Sequence, residues 1–225
     1  MCDTRDKVPG EISFKQDSDV TRIDDIRTKA LDDLRRYGVL MLDGHFDYGN
    51  GYHGRTYLNP HQLFRYPSTI WRLAQDLLDL LPADIATATE VVAGPATGGA
   101  LLAHTIAGLL DSRRSLTHPA CSFAPFDTDE GQGADLRPFY RQLVKGRRIL
   151  LADDVRNTGQ TLNRCADLVR EAGGTVLGAV VICDRLASIV DIGAPLVALV
   201  EYAAPENYPV SGCPLCQAGT PITTF

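Results

Sequence analysis

Residues 149–162, Ile-Leu-Leu-Ala-Asp-Asp-Val-Arg-Asn-Thr-Gly-Gln-Thr-Leu, place two adjacent carboxylates directly before a short polar turn. The apolar run reads as a strand that delivers Asp153 and Asp154 at its C-terminal end. The turn Val155, Arg156, Asn157, Thr158, Gly159, Gln160 and Thr161 then enters a helix. A turn entering a helix N-terminus offers unpaired N–H groups and a favourable dipole to a phosphate. Thr158 and Thr161 add hydroxyl donors, and Gly159 permits close backbone approach. Carboxylates beside an anion site suit one kind of ligand, a ribose 5-phosphate, whose vicinal hydroxyls donate to them.

Three other readings of the acidic pair compete. A Walker-B-type magnesium site needs a G-x-x-x-x-G-K-[ST] partner, which the chain lacks. A receiver domain ends an early strand in its acids, with no Thr/Gly phosphate turn behind them. A plain acidic turn capping a helix leaves the threonines unexplained. A second turn, Gly94-Pro95-Ala96-Thr97-Gly98-Gly99, also lies between an apolar run, Val91–Ala93, and a helical stretch. Ala96, Thr97, Gly98 and Gly99 are candidates for a second anionic group, through their N–H groups and the helix behind them.

The elements that must position these turns follow from periodicity. Val20, Ile23, Ile26, Ala30, Leu31 and Leu34 repeat with helical spacing over 19–37. Gly38–Leu42 and Thr56–Leu58 read as two strands of a small hairpin-like region. A helix after Pro67 carries Ile70, Trp71, Leu73, Ala74, Leu77 and Leu78 on one broad face, with Ser68 as N-cap and Trp71 in the core. Residues 100–110 form a helix in which His104 is packed. Residues 121–140 read as a polar, Gly-bearing mobile loop. Residues 148–152 are a strand and Gln160–Ala172 a helix with Leu162, Cys165, Ala166 and Val169 inward, closed by Gly173-Gly174. Val176–Cys183 and Leu196–Val200 are further strands. Strands alternating with helices predict an α/β fold: a mostly parallel sheet with helices on both faces and a small N-terminal subdomain. The 225 residues fit one domain, 1–225, with an N-terminal region over 19–66 and a Cys-x-x-Cys tail over 205–225.

Net charge is -6, so the chain has no basic footprint for nucleic acid. No run of about 18 apolar residues predicts a membrane span. Met1–Lys7 carry both charge signs and no apolar stretch, so no export signal is read, and a cytoplasmic location with reduced thiols is expected.

The acidic pair and its turn resemble the 5-phosphoribosyl-1-pyrophosphate (PRPP) signature of type I phosphoribosyltransferases. Over roughly residues 35–225 the chain resembles the orotate phosphoribosyltransferase family more narrowly. Val91–Ala103 is similar to its pyrophosphate loop. Gly38-Val-Leu, Gly44-His45-Phe46 and Tyr57 are similar to the N-terminal hood over the base. Cys183-Asp184-Arg185 matches an Asp-Arg pair whose Arg meets the orotate carboxylate, and the tail from Cys213 resembles that of many bacterial members. The resemblance implies transfer of the phosphoribosyl group of PRPP to orotate with Mg2+, giving orotidine 5′-monophosphate and pyrophosphate, by a homodimer. It assigns Asp153 and Asp154 to the ribose and its developing positive charge, 155–161 to the 5′-phosphate, and 96–99 to pyrophosphate. Arg185 and Asn157 fall to the base, and Mg2+ is held mainly by PRPP.

Two departures leave another base, or a PRPP-binding regulator, as alternatives. The family's mobile loop carries basic residues for the neighbouring subunit's pyrophosphate; here Cys121–Asp135 has four acids and no Lys, Arg or His, and Arg137 is the nearest substitute. In the hood, Gly49 stands where a basic residue is usual, and Asn50 and Gly54 replace serines. His53 and Arg55 are possible replacements, although His53 reads more simply as a hairpin residue. Cys213-x-x-Cys216 is half of a zinc pattern, but the histidines at 45, 53, 61, 104 and 118 are scattered, and a structural tail is the simpler reading.

Overall fold

The computed structural model describes residues 13–48, 51–114, 118–129, 133–187, 190–203 and 207–224. Helix α1 (Ser13–Arg36) leads into four short strands, β1 (Leu40–Met41), β2 (Phe46–Asp47), β3 (Tyr52–Gly54) and β4 (Tyr57–Leu58). Helices α2 (His61–Phe64), α3 (Pro67–Leu80) and α4 (Ala83–Ala88) follow. The alternating part comprises β5 (Val91–Pro95), α5 (Gly98–Ser112), β6 (Ser122–Asp129), β7 (Gly133–Asp135), α6 (Pro138–Val144), β8 (Arg148–Arg156), α7 (Gln160–Glu171), β9 (Thr175–Asp184) and β10 (Leu196–Glu201). The tail adds β11 (Tyr208–Pro209), a 3-10 turn and α8 (Pro214–Gln217).

The main sheet has the order β10-β9-β8-β5-β6-β7, parallel except for β7. Alternate residues of its central strands feed two cores. Val92, Leu150, Ala152, Val180 and Ile182 pack with the side of α3 and α5. Val91, Ala93, Ile149, Leu151, Ala179 and Val181 pack with the side of α7. Both faces are therefore covered, as the near-continuous apolar strands require. Each wholly buried Leu or Ile contributes on the order of 1.5–3 kcal/mol.

From β5 the chain crosses to β6 on one side, whereas β8, β9 and β10 build outward on the other. The reversal between β5 and β8 is a topological switch point, where ligands of open parallel sheets bind beyond the strand ends. Pairing of β5 with β8 stops at Ala93 and Leu151, while β8 continues beside β9 to Arg156. A crevice therefore opens between the two strands just where the acids stand.

Several expectations need correction. Asp153 and Asp154 lie inside β8, not at its end, because the edge along β9 stays paired through Arg156 and Asp184. The N-cap of α3 is Tyr66 with Pro67 as first helical residue, so Ser68 is the second helical residue, two positions beyond the cap. Trp71 is 49% exposed, since the buried stripe of α3 runs through Ile70, Leu73, Ala74 and Leu77 and position 71 falls off it. His104 is likewise exposed, between the buried pairs Leu102–Ala103 and Ile106–Ala107 of α5. The expected loop over 121–140 is largely regular: β6 pairs with β5 from Ser122 to Phe126, returns as β7, and runs into α6. Its core signal, Ala124, Phe126, Ala134 and Leu136, was masked by the acids of the hairpin.

The predicted hairpin is present, with Leu40 opposite Leu58. The hood contains more than that. Strands β2 and β3 pair with each other, and the tail strand β11 pairs with β3, so the C-terminal tail is part of the hood sheet. The Gly173-Gly174 stop is as expected: Gly173 has φ +83, its N–H donates to Arg170 O, and that of Gly174 donates to Val169 O.

Candidate active site

Adjacent residues of a strand point to opposite faces. Asp153 therefore leans toward α7 and Asp154 toward α5 and α2, and the pair straddles the crevice. Asp153 is 7% exposed, and both carboxylates face a cleft of about 520 Å³. Each accepts the next backbone N–H, Asp153 Oδ1 from Asp154 at 2.9 Å and Asp154 Oδ1 from Val155 at 2.7 Å. Burial nonetheless raises both carboxyls above the ordinary aspartate range, and for Asp153 the neighbouring Asp154 charge raises it further.

The glycine turn presses against this pair. An added methyl at Gly98 would fall 1.9 Å from Asp154 Oδ2, and one at Gly99 would fall 2.8 Å from Asp153 Oδ1. At Gly94 it would meet backbone, Gly99 O at 2.3 Å and Ala152 O at 2.5 Å. Ala96, Thr97, Gly98 and Gly99 all line the cleft opposite the acids, and the Ala96–Thr97 peptide bond is cis. The two substitutions should separate. Gly94→Ala pushes backbone against backbone, and overpacking of that kind costs about 1–3 kcal/mol, a Tm loss of roughly 3–10 °C by calorimetry. Gly98→Ala meets only a side-chain carboxylate and the Phe64 ring, so Tm should change little while PRPP affinity falls by about 10-fold or more. Equal Tm losses would show that the close approach at Gly98 is structural only.

The turn after the acids encloses a small cavity of about 70 Å³, lined by every residue from Val155 to Leu162 together with Asp153. Gly159 has φ +81, a left-handed conformation that favours glycine, and it caps α7 with no side chain occupying the helix end. The first N–H groups of α7 therefore face the cavity, as an anion cradle requires. Arg156 joins the cradle through its backbone, because its guanidinium forms an ion pair with the buried Asp184.

That pairing determines the state of Arg185. Asp184, its neighbour in sequence, is engaged by Arg156 and by the Leu186 N–H. Arg185 turns instead into a recess of about 550 Å³ continuous with the cleft, where it donates to Asn157 Oδ1 at 3.1 Å and lies 5.9 Å from the Tyr48 ring centroid. Its Nε is buried with no hydrogen-bond partner among the described residues. Asn157 and Arg185 line both the cleft and the recess.

Sequence reasoning named Tyr57 in the hood but missed Tyr48, its partner in the aromatic wall of this recess. Tyr48 and Tyr57 stack with centroids 6.3 Å apart, and Tyr48 donates to Thr56 O at 2.6 Å. Tyr48 crosses directly over Gly54, where a methyl would fall 2.0 Å from its hydroxyl oxygen, so no serine fits at 54. His61, at the start of α2, was also missed. It lines the cleft close enough to Asp154 to lower that carboxyl against the effect of burial. Thr128 lines it too and donates to Ala96 O at 2.9 Å. No local sequence pattern marks either residue.

Other candidates fall elsewhere. Gly49 and Asn50 lie outside the described residues. His53 is buried and Arg55 exposed, and neither lines the cleft or the recess. Arg137 is held by Asp127, with Nε to Oδ2 at 2.5 Å and Nη2 to Oδ1 at 2.9 Å, and Arg141 holds Asp135. Two acids of the hairpin, Asp127 and Asp135, are thus paired with the two arginines that follow them.

A model of the phosphoribosyl transferase domain matches residues 68–210, which contain the glycine turn, the acidic pair, the phosphate cradle and Arg185. The orotate phosphoribosyltransferase of Caldanaerobacter subterraneus subsp. tengcongensis is 32% identical over 196 residues, 87% of this chain and 95% of its own length. Among solved structures, orotate phosphoribosyltransferase from Aeropyrum pernix superposes with TM-score 0.56 at 22% identity, over 75% of this chain and 90% of its own. Adenine phosphoribosyltransferase from Trypanosoma brucei, solved with AMP, pyrophosphate and ribose-5-phosphate, superposes with TM-score 0.54 at 17% identity, over 78% and 79%. The two structures are named for different bases on one fold, so the fold alone does not select the base, whereas the sequence match runs along nearly the whole of a relative named for orotate. By that match this chain belongs to the orotate phosphoribosyltransferase family.

Proposed function

We propose that the chain transfers the 5-phosphoribosyl group of PRPP to orotate, giving orotidine 5′-monophosphate and pyrophosphate, a step of pyrimidine nucleotide biosynthesis. The observation that carries the base is Arg185, a cation released from its neighbouring carboxylate and aimed into a tyrosine-walled recess that adjoins the phosphoribosyl cleft. An acidic pyrimidine fits this environment, with its carboxylate on the guanidinium fork and its ring against Tyr48 and Tyr57.

In this reading the α7 cradle takes the 5′-phosphate, Asp153 and Asp154 accept the ribose hydroxyls, and residues 96–99 take the pyrophosphate. The bond from C1′ to the pyrophosphate oxygen breaks, the bonding pair leaves with pyrophosphate, and the orotate ring nitrogen bonds to C1′ as its N–H proton is lost to water. Two carboxylates near C1′ favour the positive charge that develops there. The cleft suits Mg2+: the hard oxygens of Asp153 and Asp154, added to those of the substrate, are the ligand chemistry this ion selects. Carried mainly on PRPP, Mg2+ would neutralise the leaving pyrophosphate.

A homodimer belongs to the same proposal. Leu101, 42% exposed, lies with Ala96, Thr97, His104 and Phe123 in a largely apolar recess beside the glycine turn, a surface suited to a second copy. A cytoplasmic location is also proposed; the five described cysteines are thiols, and among the described residues no helix is long and apolar enough to cross a membrane.

The test is pyrophosphate release from PRPP and Mg2+ with orotate, uracil, adenine or hypoxanthine. Orotate should lead uracil by at least about 10³-fold in kcat/KM, since a site built around a cation rejects a ligand lacking its partner. The same preparation should run in light scattering at about twice the 24.4 kDa chain mass. Turnover of a purine with none of orotate would overturn the assignment, and a monomer at all working concentrations would overturn the dimer.

A further inference from the structure

On the side of the hood facing away from the cleft, four side chains converge from two segments far apart in sequence. His45 precedes β2, His53 lies in β3, and Cys213 and Cys216 bracket the first turn of α8. Their ligand atoms all lie within 4.8 Å of one another. His45 Nε2 is 3.1 Å from His53 Nδ1 and 3.6 Å from the sulfur of each cysteine, and Cys216 Sγ is 3.3 Å from His53 Nδ1.

Hydrogen bonding does not account for this convergence. His45 Nδ1 lies 2.8 Å from Thr220 O, an acceptor only, so Nδ1 carries the proton and Nε2 presents one lone pair. His53 Nδ1 and both sulfurs point at that single lone pair. At most one of them can donate to it along the lone-pair direction, and the remaining polar atoms would crowd one another in a buried place. His45 is 2% exposed, His53 5% and Cys213 1%, while Cys216 stands at the exposed edge of the cluster.

We propose that His45, His53, Cys213 and Cys216 bind one Zn2+ in a closed structural site that fastens the C-terminal tail to the hood. Bonds of about 2.05 Å to nitrogen and about 2.3 Å to sulfur at tetrahedral angles require edges of roughly 3.3 Å (N–N) and 3.5 Å (N–S). The four measured edges match these within a few tenths of an ångström. Two thiolates and two imidazoles are the donors that Zn2+ selects, and a full set of four protein ligands leaves no position for catalysis. The surroundings agree: the second nitrogen of His45 is anchored by the Thr220 carbonyl, and the second nitrogen of His53 lies 3.9 Å from Asp47 Oδ1, the outer partners that orient ligating imidazoles. Backbone pairing crosses the same junction, with Thr223 N donating to His45 O at 2.7 Å and Asp47 N donating to Thr223 O at 3.0 Å.

Tyr48 stands between the two histidines in sequence, on the hairpin that walls the base recess. The ion thus fixes the hood from outside the recess that Tyr48 lines. The inference stands on the cluster alone and survives whichever base the recess accepts.

The test begins with untagged protein purified without chelator under reducing conditions. Plasma mass spectrometry should find about one zinc per chain. Replacement by Co2+ should give the strong visible bands of a tetrahedral site, with thiolate-to-metal charge transfer. Cys216→Ser and His53→Gln should each lose the zinc, lower Tm by roughly 5 °C or more, and raise the orotate KM while leaving PRPP affinity within about twofold. Wild-type protein that carries no zinc and binds neither Zn2+ nor Co2+ overturns the proposal. So does a Cys213–Cys216 disulfide in the native chain, or zinc retained in full by both variants. If the variants fold poorly, the wild-type stoichiometry and cobalt spectrum decide the matter alone.

Discussion

Asp153→Asn combined with Asp154→Asn is expected to stabilise the unliganded protein at pH 7.5 while lowering turnover by at least about 10³-fold. The two effects share one cause. Burial holds both carboxyls above the ordinary aspartate range, and the Asp154 charge raises Asp153 further, so each binds its proton more tightly in the folded chain than in the unfolded one. The stability they contribute is complete below the unfolded value of about 3.9 and is lost as the pH rises through the raised folded values. At neutral pH the folded protein therefore holds two carboxylates whose ionisation burial opposes. Amides remove that burden, and a Tm gain of at least about 2 °C should follow at pH 7.5, shrinking as the pH falls toward 4. Turnover is lost because an amide carries no charge to oppose the one developing at C1′. Calorimetry across pH and a pyrophosphate assay measure both sides. A Tm gain that is constant with pH would show that packing, not ionisation, produced it; retained PRPP binding and turnover would remove the pair from the site.

Arg185→Ala is expected to raise the orotate KM by about 30-fold or more while the PRPP dissociation constant stays within about threefold. Losing one member of a desolvated, hydrogen-bonded charge pair costs about 2–5 kcal/mol, and 2 kcal/mol is about 30-fold. Arg185 is positioned for this role because Asp184 is already taken by Arg156, and the guanidinium is left with Asn157 and the Tyr48 face. Arg185→Lys keeps the charge but loses the planar fork and should recover only part of the affinity. Steady-state kinetics with orotate, set beside calorimetry with PRPP, separates the two substrates. An equal loss for both would place Arg185 in the support of the cleft and not in recognition of the base.

Much of the phosphoribosyl site was legible without a structure, because it is built from one continuous piece of chain. Strand, acids, turn and helix N-terminus follow one another from Ile149 to Leu162, and each is marked by local chemistry: apolar alternation, carboxylates, a glycine at a left-handed position, hydroxyls. The glycine turn at 94–99 is local in the same way. The expected strands and helices of the alternating region therefore appear close to where periodicity put them. Errors arose where a residue's fate depends on a distant neighbour. Strand β8 runs on through the acids because β9 pairs with it there, and Trp71 and His104 are exposed because the neighbouring stripe of each helix is the one that is covered.

The same distinction divides the rest of the molecule. Sequence alone marked the acidic pair, its turn and the helix behind them within an α/β sheet, since backbone dihedrals and helix-end N–H groups answer to near neighbours. Tertiary structure decided which arginine faces the base, because Arg156 and Arg185 lie at the ends of adjacent strands and only their pairing leaves one of them uncommitted. It also brought two histidines read as scattered to the Cys-x-x-Cys tail: His45 and Cys213 are 168 positions apart in the chain, and pairing of the tail with the hood brings Nε2 and Sγ to 3.6 Å. A motif split between distant segments leaves no periodic or local signal, because the free energy that assembles it comes from the whole fold.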